Sequence, residues 1–152
     1  MSNITIRPME PEDWNAVSEI YSEGIATEHA TFQTTCPPYT AWDAFHIKEC
    51  RLVILDGGEL AGWAALRRVD PRWCYRGVAE VSIYVGEKFR GRSLGSRLLT
   101  ALCDESEKEG YWTLHSTVLQ DNTASLGLHT KCGFRVVGRR ERIARDCHGR
   151  WL

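Results

Sequence analysis

The chain has 152 residues, 43% hydrophobic and 26% charged, with a net charge of −1. That length suits one domain, 1–152, with a core of its own, and the composition excludes a disordered or fibrous chain. The near-neutral charge argues against a nucleic-acid partner, and no apolar run approaches the ~20 residues needed to span a membrane.

In chain order, Ile4–Arg7 reads as a short alternating strand. Pro11 opens a helix, with Trp14, Val17, Ile20 and Tyr21 at helical spacing. Gly24–Pro38 is mixed, and Thr40 caps a short second helix through His46 and Lys48. Arg51–Leu55 and Leu60–Val69 are strands joined by Asp56-Gly57-Gly58, a hairpin signal. After the loop Asp70–Gly77, Val78–Val85 has high strand propensity. Leu94, Leu98, Leu99 and Leu102 mark an amphipathic helix that ends at Lys108 and Gly110. Tyr111–Leu119 is a further strand, and Asp121-Asn122 caps a helix with Ala124, Leu128 and Cys132 on one stripe. Gly133 stops it, Phe134–Ile143 is the last expected strand, and Asp146–Gly149 is a turn. The order β-α-α-β-β-β-α-β-α-β is a mixed α/β sheet, with parallel crossovers around the two later helices.

The six cysteines, Cys36, Cys50, Cys74, Cys103, Cys132 and Cys147, form no C-x-x-C pair. The stretch Met1–Pro8 has no leader-like apolar segment, so reduced thiols in the cytoplasm are expected. The five histidines pair with cysteines at no zinc-ligand spacing, and no metal site is expected.

The most informative stretch is Val81–Gly95, which reads strand, basic glycine-bearing turn, helix. A helix N-terminus presents unpaired N–H groups and a favourable dipole to an anion. Gly91 and Gly95 permit close approach, and Arg90 and Arg92 add positive charge. No Lys-Ser/Thr follows the glycines as in a P-loop, and the three-glycine dinucleotide fingerprint is absent. By itself the loop reads equally as a solvated basic turn. Asn122, Ser125 and His129 share one face of the later helix, as a site or simply as a cap and surface residues.

Arg90-Gly91-Arg92-Ser93-Leu94-Gly95 resembles the acetyl-coenzyme A motif Gln/Arg-x-x-Gly-x-Gly/Ala of the GCN5-related N-acetyltransferase (GNAT) family, with Ser93 in place of its first glycine. Thr113–Leu119, Asp121-Asn122 and Leu128–Phe134 are similar to the family's later strand-helix-strand. The resemblance covers essentially the whole chain. It implies a mostly antiparallel twisted sheet with a central parallel splayed strand pair and about four helices. It also implies acetyl-CoA as cofactor, held by Ser82, Ile83, Tyr84, Val85, Arg90, Gly91, Arg92, Ser93, Leu94, Gly95, Ser96, Asn122 and Ser125.

Leu128-His129, Glu80 ahead of Ser82-Ile83-Tyr84-Val85, and His148-Gly149-Arg150-Trp151 resemble the phosphinothricin acetyltransferase subgroup. That subgroup acetylates the amino group of glutamate-like compounds: phosphinothricin, methionine sulfoximine and an arsenical relative. It implies direct transfer in a ternary complex, a homodimer, and a role in antibiotic or herbicide resistance. A substrate ammonium must lose a proton before it attacks a thioester. Glu80, a carboxylate in an apolar strand beside Ser82 and Tyr84, is the expected base, and His129 its partner or proton relay. Glu80 also reads as half of a structural ion pair with Arg76 or Arg67, and His129 as a surface residue. Cys132, beside His129, is expected to pack its helix against the sheet. For the acceptor, Arg76 is the expected anion contact, with Thr31, Phe32, Tyr75 and Trp73 as walls. Two other functions fit the same sequence, acetylation of a peptide N-terminus or polyamine and non-catalytic acyl-CoA sensing. The subgroup's final strand is expected to be short or missing, because Leu152 follows soon after the His-Gly-Arg-Trp turn.

Overall fold

The computed structural model describes residues 3–152; Met1 and Ser2, at the head of the polar N-terminal stretch, lie outside the described residues. Alternating apolar residues build a five-stranded sheet in the order β1-β2-β3-β4-β5, with β1 Ile4–Pro8, β2 Leu52–Asp56, β3 Glu59–Arg68, β4 Val78–Val85 and β5 Thr113–His115. The first three pairings are antiparallel and β4–β5 is parallel. Four α-helices cover the sheet among the described residues: α1 Trp14–Ala26, α2 Tyr39–Phe45, α3 Leu94–Lys108 and α4 Thr123–Lys131. Pro11–Asp13 forms a 3-10 turn ahead of α1, and Asp13 accepts two hydrogen bonds from Arg7 at 2.8 Å. The β2–β3 hairpin turns through Gly57 and Gly58, whose φ values of 60° and 85° suit glycine.

Strand alternation sorts side chains into two cores. Leu52, Ile54, Ala64, Leu66, Ala79 and Val81 meet Leu94, Leu98, Leu99 and Leu102 of α3. Val53, Trp63 and Ala65 face the other way, onto Val17, Ile20 and Tyr21 of α1 and Trp42 of α2. Each fully buried leucine of α3 contributes about 1.5–3 kcal/mol relative to exposure.

Three expectations need correction. α2 begins at Tyr39 with Pro38 at its N-cap and ends at Phe45, so Thr40 lies inside the helix instead of capping it and Lys48 lies beyond it. The strand expected over Tyr111–Leu119 is ladder-paired only at Thr113–His115. The strand expected over Phe134–Ile143 does not form, so the second parallel crossover is absent and β4-α3-β5 is the crossover present among the described residues. Strand propensity is realised only against a partner, and no strand lies along the far edge of β5 among the described residues. Val136 and Val137 are 77% and 87% exposed, so no apolar face drives pairing either. The last residues form a small hairpin instead. Ile143 N donates to Leu152 O at 3.1 Å, Leu152 N donates to Ala144 O at 3.0 Å, and Arg145 and Trp151 form a single bridge around the expected Asp146–Gly149 turn.

Candidate active site

Strands β4 and β5 run side by side for only three residue pairs, Val78–Thr113, Ala79–Leu114 and Glu80–His115. Beyond Glu80 they part. The gap opens into a cavity of about 740 Å³ lined by Val81–Tyr84 on one side and Ser116–Leu119 on the other. That volume lies within the usual range for small-molecule sites. Because β4 alternates, Ala79 and Val81 point into the aliphatic core, whereas Glu80, Ser82 and Tyr84 share the opposite face.

Glu80 is flanked in the sheet by Arg67 of β3 and His115 of β5. Its side chain is 19% exposed, and Arg67 Nη2 donates to its Oε2 at 2.8 Å. Arg67 Nε is buried with no hydrogen-bond partner among the described residues. The ion pair considered from the sequence is therefore present with Arg67. Arg76 turns elsewhere: a 3-10 turn at Trp73–Tyr75 carries it outward, where its guanidinium stacks on Trp73 and Trp112 at 4.5 and 5.1 Å. Neither Arg76 nor Tyr75 lines the cavity; Tyr75 stacks with Arg72, 4.8 Å away.

His129 reaches the cavity from the last turn of α4 and is 6% exposed. Asn122 accepts from Ser125 N at 3.2 Å and caps the helix that carries it. His129 Nδ1 donates to Ser125 O at 2.7 Å. In the neutral ring that bond leaves the lone pair on Nε2, which is buried with no partner among the described residues. Phe134 meets the ring edge-on at 5.1 Å. Cys132 points away, toward Ser96 O and Thr100 of α3, as expected for a packing residue.

The turn into α3 lies beside the splay. Gly91 and Ser93 both adopt left-handed backbone, with φ of 79° and 60°. The first helical bond runs from Arg97 N to Ser93 O at 3.2 Å. The N–H groups of Leu94, Gly95 and Ser96 consequently have no intrahelical acceptor, the arrangement that binds phosphate. Arg90 is exposed beside them, while Arg92 is tied to Asp56 at 2.7 Å. Val85 packs toward Gly95 and, like residues 90–96, does not line the cavity.

Thr31 and Phe32 line the same cavity. Sequence reasoning missed Tyr21, Trp42, His46 and His115 as lining residues, along with Arg68 and Arg140. His115 is visible only through the β4–β5 register. Tyr84 packs against both Tyr21 and Trp63, each ring 5.0 Å away and the two 5.4 Å from one another, and burial holds its phenol protonated. His46 stacks on Trp42 at 4.3 Å, and burial pushes its imidazole down to about 4, so it is a neutral wall at pH 7.

Residues 14–134 match the family model described as Acetyltransferase (GNAT) family. The chain is 29% identical over 154 residues to an L-methionine sulfoximine/L-methionine sulfone acetyltransferase of Pseudomonas aeruginosa, covering 97% of this chain and 89% of that protein. It is 32% identical over 154 residues to a phosphinothricin N-acetyltransferase of Alcaligenes faecalis, covering 97% and 78%. Among solved structures, a phosphinothricin acetyltransferase of Sinorhizobium meliloti in complex with acetyl-CoA superposes with a TM-score of 0.86 at 26% identity, covering 98% of this chain and 83% of that one.

Proposed function

The chain belongs to the GNAT acetyltransferase family, and on that premise we propose that it acetylates the α-amino group of a glutamate-like amino acid of the phosphinothricin, methionine sulfoximine or arsinothricin type, by direct transfer in a ternary complex. The observation that carries this reading is the convergence, at the β4–β5 splay, of a carboxylate and an imidazole nitrogen without a protein partner.

Acetyl-CoA supplies an acetyl group already activated as a thioester. The chain's own residues fit that cofactor. The free first-turn amides of α3, with Arg90, Gly91, Arg92 and Ser93, would take its pyrophosphate. Ser82, Ile83 and Tyr84 on one side of the cavity and Asn122 and Ser125 on the other would flank its arm, with Val85 outside the cavity against Gly95 where the arm would run on to the pyrophosphate. Beyond Glu80 the β4 backbone has no partner strand on the β5 side among the described residues, so amides of this stretch are available to an oxygen that gains charge.

Glu80 accepts the proton of the substrate ammonium, directly or through one water. Arg67 holds the Glu80 carboxylate in place. His129, with Nδ1–H fixed on Ser125 O, offers Nε2 to pass a proton. An amino-acid acceptor brings a carboxylate and an anionic or polar head. Arg67, with its unpartnered Nε, and Arg68 and Arg140 on the cavity wall match those groups better than the outward-facing Arg76. Arginines on this wall disfavour a polyamine acceptor. The same reading carries a cytoplasmic homodimer and a role in resistance to such amino acids.

The test is coenzyme A release from acetyl-CoA, followed as free thiol against a no-substrate control because the chain has six cysteines of its own. L-phosphinothricin, L-methionine sulfoximine, a polyamine and an N-terminal peptide are compared at matched concentration. Turnover with the two amino acids is expected, and Glu80→Gln lowers kcat/KM by about 10²-fold or more. Turnover only with the peptide or polyamine refutes the substrate class. Cofactor binding without turnover, unchanged by Glu80→Gln, makes the protein an acyl-CoA sensor.

A further inference from the structure

Outside the active site, the loop after α1 meets the C-terminal turn. Glu28, Cys147 and His148 come together there, with their ligand atoms within 4.8 Å of one another. We propose that these three side chains form a binding site for a divalent cation of zinc-like softness. The spacing of cysteines and histidines along the chain pointed away from any metal. The third donor lies 119 residues from Cys147 and is brought in only by the fold.

The donor set is one sulfur, one imidazole nitrogen and one carboxylate oxygen, a combination that suits zinc or cobalt and not calcium or magnesium. Zinc bonds of about 2.0–2.3 Å in tetrahedral geometry place ligand atoms about 3.3–3.6 Å apart. Glu28 Oε1 lies 3.8 Å from Cys147 Sγ and 2.9 Å from His148 Nε2, so the observed separations straddle that range. Small side-chain rotations, with no backbone movement, bring all three onto one ion, and water fills the fourth position.

The backbone on both sides is already fixed. Asp146 accepts from His148 N at 2.9 Å, from Arg150 N at 2.8 Å and from Arg150 Nε at 2.7 Å. Glu28 sits at φ 62° with its N–H on Ile25 O at 3.0 Å. Without the ion, His148 Nε2 donates to Glu28. Desolvation and the carboxylates of Glu28 and Asp146 raise the Cys147 thiol, which stays protonated.

On binding, the Cys147 S–H bond breaks and its proton leaves to solvent. The His148 Nε2–H that was donated to Glu28 also breaks, its proton passing to solvent while the ring, left neutral, carries one hydrogen on Nδ1, and the freed Nε2 pair goes to the cation. The thiolate and the Glu28 carboxylate then balance the two positive charges. Ala30–Gln33, just after Glu28, and Ile143-Ala144, just before the turn, both line the active-site cavity. The cation therefore ties two of its walls together. The site itself does not rest on the proposed acetyl acceptor.

The test is titration of the purified protein with Co²⁺ in thiol-free buffer, read by absorbance, followed by displacement with Zn²⁺. One equivalent with tetrahedral visible bands and a sulfur-to-cobalt charge-transfer band is expected. Cys147→Ser abolishes the charge-transfer band, and His148→Ala and Glu28→Gln each weaken binding about 10-fold or more. All three positions are exposed, so the variants fold. Absence of the charge-transfer band, its survival in Cys147→Ser, or unchanged affinity in His148→Ala and Glu28→Gln overturns the site.

Discussion

Gly24 lies in α1 against Tyr84, and a Cβ added there meets Cδ1 and Cε1 of that ring at 2.6 Å. Ordinary carbon contacts begin near 3.5 Å, so Gly24→Ala requires a shift of about 1 Å. The Tyr84 ring cannot readily yield, because it is packed in a three-ring cluster with Tyr21 and the fully buried Trp63, each 5.0 Å away and 5.4 Å from one another. Two effects oppose each other. Alanine in a helix gains up to about 1 kcal/mol over glycine, and overpacking costs about 1–3 kcal/mol. Crowding wins on this geometry, for a net loss of about 1–2 kcal/mol. At this chain length that lowers Tm by roughly 2–8 °C. Gly127→Ala is the internal comparison: it lies in α4 with nothing within 4 Å of the added Cβ, so propensity acts alone. It raises Tm by roughly 2–4 °C. Thermal unfolding followed by circular dichroism measures both. A Gly24→Ala protein that gains stability as Gly127→Ala does would refute the packing argument.

His46 gives an acid-side prediction. Burial lowers its value from 6.5 to about 4 in the fold, so its neutral form contributes fully above 6.5. As pH falls from 6.5 to 4 the unfolded chain binds the proton first, and up to about 3 kcal/mol is lost. Urea unfolding at pH 6.5 and 4.5 should show a midpoint drop that is smaller in His46→Phe; equal drops would refute it. Asn122→Ala removes the α4 cap and costs about 1 kcal/mol. It also loosens the helix that aims His129, so KM for acetyl-CoA should rise more than Tm loss alone explains, and unchanged kinetics at lowered Tm would sink that link.

Local chemistry was readable wherever one short segment decides the outcome. The Asp56-Gly57-Gly58 hairpin, the leucine stripe of α3 and the Asn122 cap each depend on residues within one turn of themselves. The splay of β4 from β5 was not readable from periodicity, and it entered through likeness to a family. Pairing between distant segments decided the failures. Phe134–Ile143 has strand-like residues but does not pair with the open edge of β5. Arg76 is four positions from Glu80 in sequence, yet the turn at Trp73–Tyr75 rotates it onto two tryptophans. The register decides between the two arginines the sequence offered to Glu80, placing Arg67 on one side of it, and it brings His115 to the other side, where no sequence signal pointed.

That register also explains why the chemistry sits on one face of the sheet. Alternation leaves only two arrangements for β4. In one, Glu80, Ser82 and Tyr84 face the aromatic and polar side; a one-residue slip would turn Glu80 toward Leu98 and Leu102. A carboxylate buried there without a partner would cost several kcal/mol. Gly62 in β3 holds the observed arrangement at its far end, since a Cβ there would meet Tyr84 O at 2.8 Å. The close approach that glycine permits keeps β3 and β4 together as far as Val85, while nothing comparable holds β5 beyond His115. The opening is thus a consequence of unequal pairing. β4 is tied from Ala79 to Val85 on one side and for three residues on the other, and the groups proposed to act on substrate line the side left free.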